Sequence, residues 1–433
     1  MRDDKPRLLG AVMLPVGDTI RSAVVKALLL RERWESGVAY NPLSARTAQD
    51  PYPVYATLRA RAPVHRSRLL KAWLFTRHAD VNAILRDHRR FGNDPRKGSL
   101  SSRQLAMLPP PNEYTMLILD PPDHTRLRAL VRKAFTPRAV HALESRIRSI
   151  MRALLDGIDD PAAFDLMSAL AWPLPVMVIA EMLGIPAEDR TQFRIWSAQR
   201  ARLVEPTIGR RERRAGEAAS RAFDAYFRPI IAERRAEPRD DIVSALVRAQ
   251  DEGTQLNERE TLNMLRLLLV AGNETTANLI GNGILALLRH PEQLQRLRAD
   301  PSLIPSAVEE LLRFDTPAQA DFRRVLADCE VNGYPLRKRD NVVLLLGAAN
   351  RDPEVFEDPD RLDVGREQRS HLSFGSGIHH CLGAPLARLE GRIVLEMLLD
   401  RFKSISLLGD RPRFRRGIVL RGLRSLPVRC IRA

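Results

Sequence analysis

Apolar residues recur three and four apart through most of this chain, the spacing of helices, and alternate as strands do in only a few places. The first periodic stretch, Ile20–Trp34, puts Ile20, Ala23, Val24, Ala27 and Leu28 on one face, interrupted by Arg21, Lys26, Arg31 and Arg33. A helix docked on the body is expected there, with a membrane-surface helix as the alternative. Further helices are predicted over Pro51–Ala62, Ala79–Asp87, a segment with Asp123 as N-cap, Pro137–Asp156, Pro173–Leu183 and the highly charged Thr191–Arg235. The long apolar Asn257–Arg289, Leu303–Phe314 and the run from Ala384 complete the helical set. Strand pieces fall in Val64–Arg77 and Val325–Leu346, the latter with turns at Val331–Gly333 and Lys338–Asn341. Asn93–Tyr114, rich in Pro, Ser, Gly and Asn, reads as a long loop, and such loops in compact proteins often bind something. Ala349–Arg366 is a Pro/Asp-rich meander.

Length changes this picture little. The 433 residues would allow roughly three domains, yet no Gly/Ser-rich linker or internal repeat divides them. Cys329, Cys381 and Cys430 are odd in number and far apart; they form no disulfide framework, which favours a reducing, cytoplasmic setting. The apolar run Leu8–Val16 is too short to cross a bilayer and lacks a cleavage signature. The net charge of +16 raises the question of nucleic acid, but the bases are dispersed among acids, as in RERRAGEAASR, with no aromatic RNA motif or zinc finger. Attraction to an acidic protein partner fits the same charge.

The most informative stretch is Phe374–Gly383, FGSGIHHCLG. Gly375, Gly377 and Gly383 allow a sharp backbone turn and close approach to a flat object. Cys381 stands just before the helix that begins at Ala384, whose N-terminal dipole favours an anionic sulfur. A zinc site on His379, His380 and Cys381 is disfavoured, because adjacent residues point apart and no CxxC closes a tetrahedron. An inert buried cysteine in a Gly-rich turn remains the plainer alternative.

Three other constellations accompany it. Within LLLVAGNETTANLI, Ala271 and Gly272 leave a small surface for another body, and Glu274–Thr275 sets an acid beside an alcohol in an apolar run. Glu310 and Arg313, three apart in EELLR, share a helical face, as do His124 and Arg128 in HTRLR.

Together these segments resemble the cytochrome P-450 superfamily, the haem-thiolate monooxygenases of soluble bacterial type, from about Asn41 to the C-terminus. The resemblance implies a mainly α, single-domain fold with small β-sheets over residues 41–433, preceded by a partly amphipathic extension, 1–40. It places haem b, held non-covalently, between the long oxygen-binding helix and the helix after the cysteine loop. Cys381 becomes the axial ligand, with Phe374 and Gly383 in its loop. Ala271 and Gly272 face the cofactor, and Thr275 and Glu274 deliver protons. His124, Arg128, Arg323 and His379 hold the haem propionates; Arg324, beside Arg323, competes for that place, and strand alternation allows only one of them. Glu310, Arg313 and an arginine from the meander lock the fold, Arg366 fitting that third position and Arg369 standing in reserve.

No CxxCH, GxGxxG or P-loop appears, so electrons are expected from a separate ferredoxin-type donor and its reductase, docking near Arg126, Arg132 and Lys133. The expected protein is a cytoplasmic monomer that uses dioxygen on a mostly apolar small molecule, with neither nucleic acid nor a membrane span. The pocket is expected from the loop Ser99–Thr115, the helices within Thr191–Arg235, the long helix with Leu267, Leu268 and Val270, and Thr316–Phe322. The turn Gly417–Leu426 would also reach it. Pro317, Ala318 and Ala320 are apolar, while Gln319 and Asp321 either add a polar contact or face solvent. A peroxide-driven peroxygenase and a catalytically silent haem-thiolate protein are the alternatives; the intact Glu274–Thr275 pair speaks against the first.

Overall fold

The computed structural model describes residues 18–99, 113–205, 208–239, 241–251, 256–409 and 412–432. The run Leu8–Val16 and most of the pocket loop Ser99–Thr115 therefore lie outside the described residues.

The long helix, Glu258–Arg289, is the spine of the molecule. It starts where the sequence offers a reciprocal cap: the Asn257 side chain accepts from the Glu260 amide at 2.8 Å, and the Glu260 carboxylate accepts from the Asn257 amide at 2.9 Å. Its apolar residues are buried on nearly every face, so helices pack around it. They are Pro173–Met182, Arg190–Ala201, Arg210–Ala236, Ile304–Phe314 and Ala384–Arg401. Burying each large aliphatic side chain contributes about 1.5–3 kcal/mol, which makes this cluster the main source of stability.

The strands are β1 (Val64–Ser67), β2 (Ala72–Phe75), β3 (Phe91–Gly92), β4 (Phe164–Asp165), β5 (Asp321–Val325), β6 (Cys329–Val331), β7 (Tyr334–Leu336), β8 (Asn341–Leu344), β9 (Phe402–Leu407) and β10 (Pro427–Arg432). Five of them form a sheet in the order β1-β2-β8-β5-β3, in which only β2 and β8 run parallel. A small sheet, β4-β10-β9, and the hairpin β6-β7 complete the β structure. The hairpin turns at Asn332–Gly333, both with positive φ (49° and 78°).

Several boundaries differ from the sequence expectation. Asp123 is the first residue of the helix Asp123–Arg132 rather than its cap. Thr191–Arg235 divides into two helices, glued by an aromatic cluster of Phe193, Trp196, Phe223, Tyr226 and Phe227. The helices Ile242–Asp251 and Pro291–Ala299 had no counterpart in the prediction.

The N-terminal helix, Asp18–Ser36, docks on a different face from the one expected. Ala23, Val24 and Ala27 are exposed, and Glu32 points inward. The tertiary donors that capture Glu32 outweigh the apolar pattern.

Candidate active site

The cysteine loop turns as its glycines predict. Gly375 and Gly377 have φ of 69° and 70°, the region open to glycine without strain. A Cβ on Gly377 would meet the Leu85 carbonyl oxygen at 2.5 Å, so the loop presses directly on the helix His78–Arg86. The Cys381 amide donates to the Phe374 carbonyl at 2.8 Å, closing the loop. Gly383 is the N-cap of Ala384–Arg401. The thiol lies at the amide end of that helix, with hydrogen bonds from the backbone of Gly383 and Ala384. Burial pushes the Cys381 thiol up, while those amides and the guanidinium groups of Arg128 and Arg388 pull it down. Cys381 is nonetheless exposed, which leaves it open to a ligand.

Ala271 stands open in the middle of the long helix, between buried Leu269 and Asn273. Thr275, one turn further, donates its Oγ1 proton to the Ala271 carbonyl at 2.8 Å. Gly272 departs from expectation. A Cβ there would meet Ile179 Cδ1 at 2.8 Å, so this glycine admits the neighbouring helix Pro173–Met182, a contact the sequence did not indicate. Glu274 accepts from Arg415 Nη1 at 3.1 Å, and the Arg415 guanidinium lies 5.1 Å from the Trp172 ring centroid. Arg415 was not foreseen, because nothing in the basic run around it singles out one arginine.

To the side of the thiol the structure gathers His124, Arg128, Arg323 and His379. The rings of His124 and His379 are 4.2 Å apart. Burial, then His124, Arg323 and Arg128, push the His379 imidazole down to about 3. Arg128 Nη2 donates to the His380 carbonyl at 2.6 Å. Arg323 is 1% exposed, pairs with Asp321 at 2.9 Å, and leaves Nη2 buried without an acceptor. Both ring nitrogens of His124 are likewise buried without partners. Arg323 therefore joins the histidine cluster, while Arg324 turns to the other face of β5, over Gly98.

Orphaned donors of this kind are costly unless an acceptor arrives. A planar ligand with two carboxylates beside a metal that takes the thiolate supplies acceptors for the Arg323 guanidinium and a histidine N–H. The residues present thus fit a haem.

The fold-locking pair is assembled. Glu310 and Arg313 are buried and bidentate, at 2.7 and 2.8 Å. Arg313 also reaches the carbonyls of Asn350, Pro359 and Arg361. Arg366 Nε meets Glu310 at 3.2 Å and takes the third place, while Arg369 lines a surface groove instead. Arg126 is engaged by Glu260 and Asp123, which removes it as a free docking cation. Arg132 is exposed; the Lys133 side chain lies outside the described residues.

Helices around a buried spine, a thiol at a helix N-terminus and a cluster of acceptor-seeking donors define a haem-thiolate protein. Comparison with known proteins extends this. The family model described as Cytochrome P450 matches residues 188–421. The polyketide biosynthesis cytochrome P450 PksS of Bacillus subtilis (strain 168) is 41% identical, across 90% of this chain and 98% of that relative. The vitamin D(3) 25-hydroxylase of Pseudonocardia autotrophica is 44% identical, across 88% of this chain and 94% of that relative. The solved structure of PksS superposes with a TM-score of 0.83 at 40% identity, covering 91% of this chain and all of that one. The chain belongs to the cytochrome P450 family. It is a haem-thiolate monooxygenase whose cofactor is haem b with an axial cysteine thiolate.

Proposed function

We propose that this chain hydroxylates or epoxidises a mostly apolar organic molecule, with Cys381 as the axial ligand and electrons from a separate ferredoxin-type donor. The observation that carries this reading is the joint placement of the Cys381 thiol at a helix N-terminus and the unpartnered His124 and Arg323 donors beside it. When bound, haem supplies the activation of dioxygen, with electron density pushed from the thiolate.

The residues of the chain do the rest. Burial raises the Cys381 thiol above its ordinary range; the amides of Gly383 and Ala384 and the nearby Arg128 and Arg388 oppose that shift and would favour the thiolate that the haem iron takes. His124, Arg128, Arg323 and His379 orient the cofactor through its carboxylates. Ala271 keeps the space above it open. The Thr275 hydroxyl sits at the edge of that space to pass a proton, and Glu274, tethered to Arg415, resupplies it.

An apolar substrate is supported by the lining. Asp321 is engaged by Arg323 at 2.9 Å, and Gln319 donates from Nε2 to the Thr316 carbonyl at 2.8 Å, while Gln319 Oε1 is buried without a partner among the described residues and is the one polar contact of this segment left for a substrate to meet. Relatives named for polyketide biosynthesis, vitamin D(3), 6-deoxyerythronolide B and biotin biosynthesis support a small organic molecule as the class of substrate. For the donor, the exposed Arg132 and Arg369 favour an acidic protein. The test is turnover of steroid and macrolactone panels with ferredoxin, its reductase and isotopically labelled dioxygen. One labelled oxygen per product, at a rate that falls with salt, supports this reading. Turnover with hydrogen peroxide alone would favour the peroxygenase.

A further inference from the structure

Two opposite faces run along the helix Asp18–Ser36. Val25, Leu29, Glu32 and Ser36 recur at helical spacing and turn toward the body; Val25, Leu29 and Ser36 are half-buried and Glu32 is fully buried. Ala23, Ala27, Leu30 and Trp34 recur on the far side, all exposed, with Leu30 at 68% and Trp34 at 86%. The polarity is the reverse of a helix on a water-facing surface, where the acid would point out and the tryptophan in.

The inward acid is held firmly. Glu32 accepts from Ser67 Oγ at 3.0 Å and from the amides of Tyr40, Arg68 and Leu69 at 3.1, 2.6 and 3.1 Å, and lies 3.3 Å from His65 Nε2. Ser36 Oγ adds a contact to His65 Nδ1 at 3.2 Å. A buried carboxylate must keep its donors, so the helix cannot roll to hide Trp34. The exposed stripe is a consequence of the docking, and it stands open to a partner outside the described core.

The flanking charges say what. Lys26 and Arg33 lie one turn either side of Leu30 and have no carboxylate partner among the described residues. Two copies meeting on this stripe would bring these cations together, which disfavours a dimer. An apolar stripe ending in a tryptophan and bordered by cations suits the headgroup region of an anionic bilayer. No described helix is long and apolar enough to cross a membrane, so the contact is peripheral. The sequence just before this helix adds the apolar run Leu8–Val16, preceded by Arg2, Lys5 and Arg7 together with Asp3 and Asp4.

We propose that this helix is an interfacial anchor whose Ala23–Ala27–Leu30–Trp34 stripe enters an anionic lipid surface while Lys26 and Arg33 meet the lipid phosphates.

The test is co-sedimentation of the full-length, haem-loaded protein with vesicles of phosphatidylcholine and phosphatidylglycerol, and of phosphatidylcholine alone. Binding to the anionic vesicles that weakens with salt is expected. The double variant Leu30→Ser/Trp34→Ser should lose it with haem content unchanged, and Lys26→Glu/Arg33→Glu should weaken it by on the order of tenfold or more. No binding to anionic vesicles at low salt, or binding by the serine variant equal to that of the parent, overturns the proposal. So does self-association, or binding of an acidic ferredoxin, that the serine substitutions abolish without any vesicle binding; those results assign the stripe to a second copy or to the donor.

Discussion

The imidazole of His124 lies 4.2 Å from that of His379, ring centre to ring centre, and neither His124 nitrogen has a hydrogen-bond partner among the described residues. Two tilted rings beside Arg128 and Arg323 with no acceptor between them are a site built for an anion. The variant His124→Phe keeps the ring's volume and removes both nitrogens. A hydrogen bond to a charged group contributes about 1.5–3 kcal/mol, so haem should leave this variant on the order of tenfold faster or more, measured as transfer to apomyoglobin. Unchanged retention would separate His124 from the cofactor.

Glu310 is buried and its oxygens accept from Arg313, Arg366 and the Asp363 amide. In Glu310→Ala two guanidinium groups lose their counter-ion inside the protein, at a cost of about 3–5 kcal/mol. Soluble yield and the urea midpoint should both drop sharply, and little haem-loaded protein should be recovered. A normally loaded variant with an unshifted midpoint would remove the structural role.

Thr275→Ala leaves the helix intact, since its hydroxyl bonds only the Ala271 carbonyl of the preceding turn. Product formation should fall by about 10²-fold while oxygen is still consumed, and Glu274→Gln should fall in the same direction. Equal loss of oxygen uptake and product, with normal haem content, would mean that Thr275 does not serve proton delivery.

Acid stability has an identifiable contributor. Burial pushes the Glu309 carboxyl up, but His371 at 3.2 Å and bidentate Arg388 at 2.7 and 2.9 Å outweigh it and hold it down to about 2, against an ordinary 4.5. Between those values the unfolded chain binds the proton and the folded one does not. The stabilisation is therefore complete above about pH 4.5 and lost as the pH falls toward about 2. Chemical unfolding across that window should show a shallower pH slope for Glu309→Gln than for the parent. Identical slopes would place the acid sensitivity elsewhere.

The parts legible in the sequence were those that short-range rules or a contiguous motif encode. The long helix could be read from its extended apolar run, and the cysteine loop from its glycines. Glu310 and Arg313 are adjacent turns of one helix, so their pairing needed no tertiary knowledge. What stayed hidden depends on contacts far along the chain. Glu32 finds its donors at Tyr40 and at residues 65–69, beyond any helical window. Gly272 marked a close approach without saying of what, and the answer was Ile179. Arg126 looked free until the fold brought Glu260 beside it. The helix Pro291–Ala299 was missed because its charged residues leave almost no apolar stripe, with Leu297 alone buried.

The central claim is that Cys381 ligates the haem iron as a thiolate, and the absorption spectrum of the reduced protein under carbon monoxide tests it most directly. The account predicts a Soret band at the strongly red-shifted position that a thiolate ligand produces, lost in Cys381→His even where haem is retained. A reduced carbon monoxide band without that shift in the parent protein, or one that survives the substitution, would contradict it.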